Sequence, residues 1–171
     1  MAIDPDQLAI VSYPDPVLRI RAEPIAVIDD EIRTIASRML ELMHAAPGVG
    51  LAAPQVGLPL RLFVANPTGE PEDDRVYINP ELIDPQPGKA ARDEGCLSLP
   101  NITVEVHRPE GITIRARNLD GDPFEETADG LLARIWQHEY DHLDGVLIID
   151  KMSPMDRMAN RKAIKELEEA K

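Results

Sequence analysis

Proline occupies 16 of the 171 positions of this chain, about twice its usual frequency of about 5%. Because proline breaks the interior of an α-helix, its positions restrict where long helices can form. The three longest stretches without proline cover residues 25–46, 124–153 and 155–171. This distribution predicts one long helix in each stretch, with strands and turns in the proline-rich part between the first two.

Helical periodicity supports each of the three predicted helices. In the first stretch Asp29 can cap a helix. Apolar side chains follow it at the spacing of one helix face, at Ile32, Ile35, Met39 and Met43. In the second stretch a similar stripe ends near Gly145 and consists of Leu131, Ile135, His138 and His142. Residues 155–171 combine a sparse apolar stripe with five basic and four acidic residues, which is typical of a terminal helix that lies on the body or meets a partner.

A period of two residues predicts strands in the middle of the chain, over residues 62–65, 76–79, 102–106 and 112–116. Asp120-Gly121 is a strong turn signal and predicts a hairpin from the last of these strands into the segment around Phe124. The order is helix, several strands, helix, helix. It predicts an α+β fold, because strands and helices do not alternate as a doubly wound sheet requires.

Length and charge limit the classes of protein. We expect a single domain over residues 1–171, since this length suits one domain of ordinary size. The net charge of −13 argues against binding of nucleic acid or anionic membranes by the whole surface.

The longest stretch without charged side chains, residues 42–60, contains three prolines and three glycines and is not expected to span a membrane. Residues 1–16 contain no lysine or arginine, unlike a secretory signal, so the expected location is the cytoplasm.

An H-E-x-x-H motif, His138-Glu139-Tyr140-Asp141-His142, lies inside the second predicted helix. Residues four apart lie on one helix face, so both imidazoles can reach one metal ion. Glu139 lies about 100° round the helix from His138 and would border the open coordination position. The motif is typical of a site that activates water with a metal ion. The alternative is a chance match on a helix with two packed or solvated histidines.

A catalytic site of this kind usually has a third protein ligand. The metzincin pattern fails, because Ile148 stands where that pattern requires histidine. A glutamate ligand, as in thermolysin-like proteases, would have to come from the highly charged terminal helix, from Glu166, Glu168 or Glu169. The remaining candidate is Cys96, whose status as the only cysteine excludes an intramolecular disulfide. An isolated cysteine is more often a small buried core residue, so both interpretations stay open.

Three segments together resemble the peptide deformylase family. Residues 48–55 (G-V-G-L-A-A-P-Q) match the family's G-φ-G-φ-A-A-x-Q, residues 94–98 (E-G-C-L-S) match E-G-C-φ-S, and residues 137–142 (Q-H-E-Y-D-H) match Q-H-E-x-x-H. Alone, the first segment could be a helix C-cap followed by a turn, but three ordered motifs are specific. The resemblance covers nearly the whole chain and is greatest to the bacterial type I branch. It implies small antiparallel or mixed sheets around a central metal-binding helix, with further helices toward both ends.

The resemblance implies an activity and a set of metal ligands. The family removes the formyl group from the N-terminal formylmethionine of nascent proteins and releases formate. By resemblance, Cys96, His138 and His142 would bind one divalent metal ion, with water as the fourth ligand. Fe²⁺ would be the usual physiological ion, and Zn²⁺, Ni²⁺ or Co²⁺ could replace it. Glu139 would act as general base and then general acid for attack by the metal-bound hydroxide.

The resemblance also implies how the reacting formyl group is held. The side-chain amide of Gln55, the backbone N–H of Leu97 and the metal ion would stabilise the oxyanion. The backbone carbonyl of Gly50 would accept a hydrogen bond from the formamide N–H. The absence of a side chain at Gly50 would permit this close approach.

The methionine side chain of the substrate requires an apolar pocket beside the metal. Ile135 and Leu131 lie one and two turns before His138 on the same face, and we expect Val49 opposite them. Arg134 is close to this face. We expect its aliphatic stem to line the pocket while its guanidinium reaches solvent.

Burying a carboxylate near such a site costs free energy unless a cation pairs with it. We expect Arg108 to pair with Glu94 and Asp141. The alternative is an Arg108 that pairs only with solvent.

Two other classes of function use some of the same residues. A small metallopeptidase would share the activated water and Glu139, whereas a metal-binding interaction module would need neither Glu139 nor Gln55. For partners, the resemblance implies N-formylmethionyl nascent peptides and contact with the ribosome through the terminal helix. Residues 156–171 sum to a charge of about +1 and the remainder to −14. We expect no membrane partner and no sequence-specific binding of nucleic acid.

Overall fold

The computed structural model describes residues 3–170, in which three α-helices and seven strands are present. In chain order these elements are α1 (Asp30–Ala45), β1 (Gly50–Ala52), β2 (Leu62–Ala65), β3 (Arg75–Ile83), β4 (Ala90–Cys96), β5 (Leu99–Arg108), β6 (Gly111–Arg117), β7 (Pro123–Asp129), α2 (Gly130–Leu143) and α3 (Pro154–Glu169). The three predicted helices and the α+β class are confirmed. Lys171 of the predicted terminal helix lies outside the described residues, as do residues 1 and 2. Within residues 3–170 no helix has the length and apolar character needed to cross a membrane.

The strands form two antiparallel sheets. Five strands in the order β1-β2-β3-β6-β7 make the larger sheet, and β4 pairs with β5 in a separate hairpin. The four predicted strands are found as β2 and as parts of β3, β5 and β6. Strands β1 and β4 are not predicted from the sequence. β1 has only three residues, and β4 carries three consecutive charged residues, Arg92, Asp93 and Glu94, which obscure its alternation.

The hairpin predicted at Asp120-Gly121 joins β6 to β7. The side-chain oxygen of Asn118 accepts hydrogen bonds from the backbone N–H groups of Asp120 (2.9 Å) and Asp122 (3.0 Å). Gly121 has a φ of 84°, a left-handed conformation that glycine adopts without a steric penalty. The turn directs β7 back along the sheet, and β7 leads without a loop into α2.

Helix α2 packs against the larger sheet. Trp136 is fully buried, and its ring lies 5.8 Å from the ring of Tyr77 on β3. Helix α1 contributes Met39 and Met43 to a second core cluster shared with β1 and β2. Helix α3 packs on β5 through residues such as Ile164. Ala133, Ile135, Trp136 and Leu143 of α2 belong to the core cluster that includes Tyr77, and this packing fixes the position of the helix on the sheet.

Candidate metal centre

Two elements bring the predicted metal ligands together. His138 and His142 lie one turn apart on α2, and Cys96 is the last residue of β4, immediately before the turn into β5. One donor atom from each residue lies within 4.8 Å of the others. The sulfur of Cys96 is 3.4 Å from Nε2 of His142. The structure therefore places the three residues around one point.

These donors fit a divalent transition-metal ion. A thiolate and two imidazoles are a ligand set that zinc and related ions use. Ligands about 2.0–2.3 Å from one tetrahedral ion lie roughly 3.5 Å apart, close to the observed separation between Cys96 and His142. The Nδ1 atom of His138 is 2.9 Å from Oε1 of Glu94, so Nε2 is left for a metal. A carboxylate on the far nitrogen of a ligating histidine is a common feature of metal sites.

The two histidines differ in their electrostatic surroundings. Burial works to lower the pKa of His138, but the nearby Glu139, Cys96 and Glu94 together raise it well above its ordinary value. For His142, burial and the neighbouring His138 lower the pKa well below the ordinary value. Burial thus favours the neutral form of His142, and a proton and a metal ion compete for Nε2 of His138, since a metal ion binds only the neutral imidazole.

Glu139 lies beside the three donors and is 4% exposed. Its Oε1 atom is buried and has no hydrogen-bond partner within the described part of the chain, and its Oε2 atom is 3.9 Å from Nε2 of His138. Burial raises the pKa of Glu139 to about 7. This value is suited to a group that accepts and returns a proton near neutral pH.

Gly50 on β1 faces Glu139 across the site. A Cβ atom at position 50 would lie 2.6 Å from Oε2 of Glu139 and 2.9 Å from a methyl carbon of Ile135. Both distances are shorter than normal contact, so any side chain here would displace the carboxylate. Glycine at position 50 therefore keeps the backbone of β1 directly beside Glu139.

A buried ion cluster supports the metal ligands. Arg108 donates to both carboxylate oxygens of Glu94, at 2.7 and 2.9 Å, and to Asp141 at 2.9 Å. The predicted pairing of Arg108 is confirmed. Burial alone would raise the pKa of Glu94, but hydrogen bonds from His138 and Arg108 hold it far below its ordinary value. Glu94 is therefore ionised, and it fixes the orientation of the His138 ring.

The expectation that the guanidinium of Arg134 reaches solvent is wrong. Arg134 donates to Oε2 of Glu94 at 2.6 Å and to the backbone carbonyls of Val106 (3.1 Å) and Ala90 (2.9 Å). These acceptors lie on the β4–β5 hairpin, whose packing against α2 turns the guanidinium inward. No local signal in the sequence predicts this contact, because Glu94 and Arg134 are 40 positions apart.

Gln55 is also directed into the site. It is 1% exposed, and its side-chain oxygen accepts a hydrogen bond from the N–H of Ala52 at 2.9 Å. Its amide nitrogen donates to the hydroxyl of Ser98 at 3.2 Å and lies 3.5 Å from the sulfur of Cys96. Ser98 is a fully buried residue with no predicted role. The only sequence signal that could have identified Ser98 is its position in the E-G-C-L-S segment.

A cavity of about 490 Å³ opens beside these groups. Its lining contains all the residues predicted to hold substrate or reacting atoms, namely Val49, Gly50, Gln55, Leu97, Leu131, Ile135 and Glu139. Val49 is 45% exposed and Leu131 is 51% exposed, so they border the opening, whereas Ile135 is buried. The volume is within the usual range of about 300–1,000 Å³ for small-ligand sites.

The fold and the site together define a class of protein. An H-E-x-x-H helix with a cysteine as third donor, a buried glutamate and an adjoining apolar cavity are features of a metal-dependent hydrolase. The cysteine at the third donor position distinguishes this chain from metallopeptidases, in which the third protein ligand is a histidine or a glutamate.

Comparisons with known proteins agree with this class. Residues 7–158 match the profile of the polypeptide deformylase family. A peptide deformylase of Acidobacterium capsulatum is 45% identical, with 94% of this chain and 95% of that protein covered. Peptide deformylase 1B of Arabidopsis thaliana, described as chloroplastic and mitochondrial, is 42% identical over 94% of this chain and 60% of that protein. A crystal structure of the Plasmodium falciparum peptide deformylase superposes with a TM-score of 0.92 at 37% identity, covering 95% of this chain and 96% of that one.

The chain therefore belongs to the polypeptide deformylase family. Members of this family are hydrolases that remove the formyl group from N-terminal methionine.

Proposed function

We propose that this chain removes the formyl group from N-formylmethionyl nascent peptides with one divalent ion held by Cys96, His138 and His142. The observation that carries the proposal is the convergence of these three donors within 4.8 Å of one another. They lie beside a buried Glu139, which lines the same cavity as Cys96 and His138.

Fe²⁺ is proposed as the ion in the cell, and Zn²⁺, Ni²⁺ or Co²⁺ as replacements. Since a site of nitrogen and sulfur donors binds Zn²⁺ and Ni²⁺ more tightly than Fe²⁺, iron loading would reflect metal availability. When bound, the ion polarises the formyl oxygen and lowers the pKa of water toward neutrality.

Glu139 is the proposed general base and acid. It would take a proton from the attacking water and pass it to the departing amine as the formyl C–N bond breaks, so that formate and a free amino terminus result. The raised pKa of Glu139, about 7, supports both transfers near neutral pH.

The oxyanion is proposed to lie against Gln55 and Leu97. The amide nitrogen of Gln55 is held toward Cys96 by Ser98 and by the fixed side-chain oxygen, so this donor is oriented before substrate binds. The N–H of Leu97 belongs to the turn directly after Cys96. One such donor is typically worth about 3–4 kcal/mol of transition-state stabilisation. The carbonyl of Gly50 is the proposed acceptor for the formamide N–H.

The methionine side chain is proposed to occupy the apolar part of the cavity. Ile135 and Leu131 supply one wall from α2, and Val49 supplies another from the segment before β1. The carboxyl side of the substrate would leave through the opening between Val49 and Leu131.

The test is a pair of assays on protein purified without oxygen. We expect formate release from formyl-Met-Ala and no cleavage of the unformylated peptide, together with one divalent ion per chain by metal analysis. Cys96→Ala should lose the ion and the activity, because two imidazoles alone leave the ion one protein ligand short. Peptide cleavage without formate release, or a metal-replete Cys96→Ala variant with full activity, would contradict the proposal.

We further propose that residues 1–171 act as one domain in the cytoplasm, where nascent chains are made, and that α3 contacts the ribosome. The inner face of α3 is occupied, since Asn160 donates to the carbonyl of Thr103 at 2.9 Å. Its outer face is exposed, with Met155 82% and Met158 80% exposed. The near-neutral charge of residues 156–171 makes this helix the least repulsive surface toward RNA.

Charge reversal tests this contact without removing a packed helix. The double variant Arg157→Glu/Arg161→Glu, changed at exposed positions of α3, should pellet less with ribosomes, and the loss should grow with falling salt. The matched control is Arg21→Glu/Lys89→Glu, which makes the same charge change at exposed positions elsewhere. Equal pelleting of the two variants would rule out a contact through α3.

A further inference from the structure

Part of the cavity wall comes from a short connecting segment, residues 46–49, between the end of α1 and the start of β1. Gly48 and Val49 of this segment line the cavity. A Cβ atom at Gly48 would lie 2.9 Å from Cδ1 of Leu97, so the segment packs against the residue whose N–H is proposed to hold the oxyanion. It also leads directly into Gly50, whose carbonyl is the proposed acceptor for the formamide N–H.

The two ends of the connecting segment are held by different parts of the chain. At its start, His44 lies in the last turn of α1, and its Nε2 atom is 2.6 Å from Oδ1 of Asp74. At its end, the carbonyl of Val49 accepts a hydrogen bond of 2.8 Å from the backbone N–H of Asn66. The position of the segment therefore depends on where His44 and Asn66 are fixed.

Asp74 joins these two anchors through one oxygen atom. Its Oδ1 accepts a hydrogen bond of 2.8 Å from Nδ2 of Asn66 and also makes the contact with His44. Because a carboxylate oxygen only accepts hydrogen bonds, Nε2 of His44 is the donor in this contact. The side chains of His44 and Asp74 are 35% and 28% exposed, so the bridge is partly shielded from water, and shielding strengthens a hydrogen bond.

Asn66 is a firmly held partner for this bridge. It is 1% exposed, and its Oδ1 atom accepts hydrogen bonds from the N–H groups of Thr68 at 3.0 Å and Gly69 at 2.7 Å. Its amide nitrogen also donates to the carbonyl of Glu70 at 2.7 Å. These bonds hold the Asn66 side chain in one orientation, and the bridge through Asp74 extends this order to the end of α1.

We propose that Asp74 is a positioning residue for substrate binding, because its bridge holds both ends of the connecting segment and so fixes the cavity wall that receives the peptide. This inference rests on the proposed function, since it assigns that wall to the formyl peptide. Asp74 is not among the residues that line the cavity, so its effect on the substrate passes through His44 and Asn66. Without the bridge, the segment gains conformational freedom that substrate binding must remove.

The experiment measures kcat and KM for formyl-Met-Ala with the metal-loaded wild type and three variants. Asp74→Ala removes the bridge. Asp74→Asn keeps a side-chain oxygen that can accept hydrogen bonds from both His44 and Asn66, so it separates the hydrogen bonds from the charge. Asp73→Ala is the matched control, because it removes a neighbouring carboxylate of the same loop that contacts the hydroxyl of Thr68 at 2.6 Å instead.

We expect Asp74→Ala to raise KM by about tenfold, since ordering the backbone of one further residue on binding costs about that factor. Its kcat and metal content should stay close to the wild-type values, because the metal ligands and Glu139 are carried by β4 and α2 rather than by the connecting segment. Asp74→Asn and Asp73→Ala should keep KM close to that of the wild type.

Hydrogen exchange gives a second readout that requires no substrate. The amide of Asn66, which donates to the carbonyl of Val49, reports local opening of this connection. It should exchange several-fold faster in Asp74→Ala than in the wild type and at an unchanged rate in Asp73→Ala. His44→Ala removes only one of the two anchors, so it should give smaller rises in KM and in exchange rate, and it tests the bridge even if Asp74→Ala does not fold.

The outcomes separate this inference from the proposed function. If the wild type releases formate but Asp74→Ala keeps the wild-type KM or exchange rate, Asp74 is not a positioning residue and the proposed function stands. The same conclusion follows if Asp73→Ala or Asp74→Asn raises KM as much as Asp74→Ala does, or if Asp74→Ala loses kcat or metal at an unchanged KM. If the metal-loaded wild type releases no formate, the proposed function is wrong and this inference fails with it.

Discussion

Replacement of Glu139 by alanine is expected to leave the metal ion bound and to lower kcat for formate release by about 10²–10⁴-fold, the usual contribution of a general acid–base group. Glu139 is not one of the three clustered donors, so metal content should be unchanged. Its carboxylate is buried, and its Oε1 has no hydrogen-bond partner within residues 3–170. Removing this carboxylate should therefore have little effect on the stability of the fold. Single-turnover formate release and metal analysis on the same preparation measure both quantities.

Two further variants sharpen this prediction. Glu139→Gln keeps the size of the side chain but cannot accept the proton, so it should be as slow as Glu139→Ala. Cys96→Ala should show the opposite pattern, with loss of metal as the primary defect. If Glu139→Ala loses its metal as completely as Cys96→Ala does, Glu139 is a ligand and the assignment of general base is wrong.

The second large effect is expected for Arg108→Leu. Arg108 is 4% exposed and pairs with both Glu94 and Asp141, so its removal leaves the buried carboxylate of Glu94 and the half-buried carboxylate of Asp141 without their main cation. Breaking a buried ion pair from one side typically lowers the free energy of unfolding by about 3–5 kcal/mol. Arg134 still contacts Glu94, which places the expected loss toward the lower end of this range.

Arg108→Leu should also weaken metal binding. Glu94 would no longer be held against His138, and loss of such an outer contact commonly lowers metal affinity by about 10–100-fold. Urea unfolding of the metal-loaded protein and titration with a competing chelator measure the two effects. The matched control is Arg115→Leu, which removes an exposed arginine paired with Glu125 and should change neither quantity appreciably. A fully stable, metal-replete Arg108→Leu variant would show that this cluster supports neither the fold nor the metal.

Much of the fold could be predicted because its signals are local. The N-cap of α1 forms as the sequence predicts, with the Asp29 carboxylate accepting the N–H of Ile32 at 3.1 Å. The helix period places His138 and His142 on one face whatever surrounds them. Strand β4 could not be predicted in this way, because its order depends on pairing with β5 and on the burial of Glu94 between two arginines.

The sequence by itself determined the three helices, the two histidines on one helix face and, by resemblance, the segments that belong to one site. These features depend on backbone geometry and on spacing over a few residues. Only the tertiary structure decided that the guanidinium of Arg134 turns inward and that Ser98 holds Gln55. Each of these contacts joins residues about 40 positions apart. The burial that raises the pKa of Glu139 is likewise a property of the folded chain.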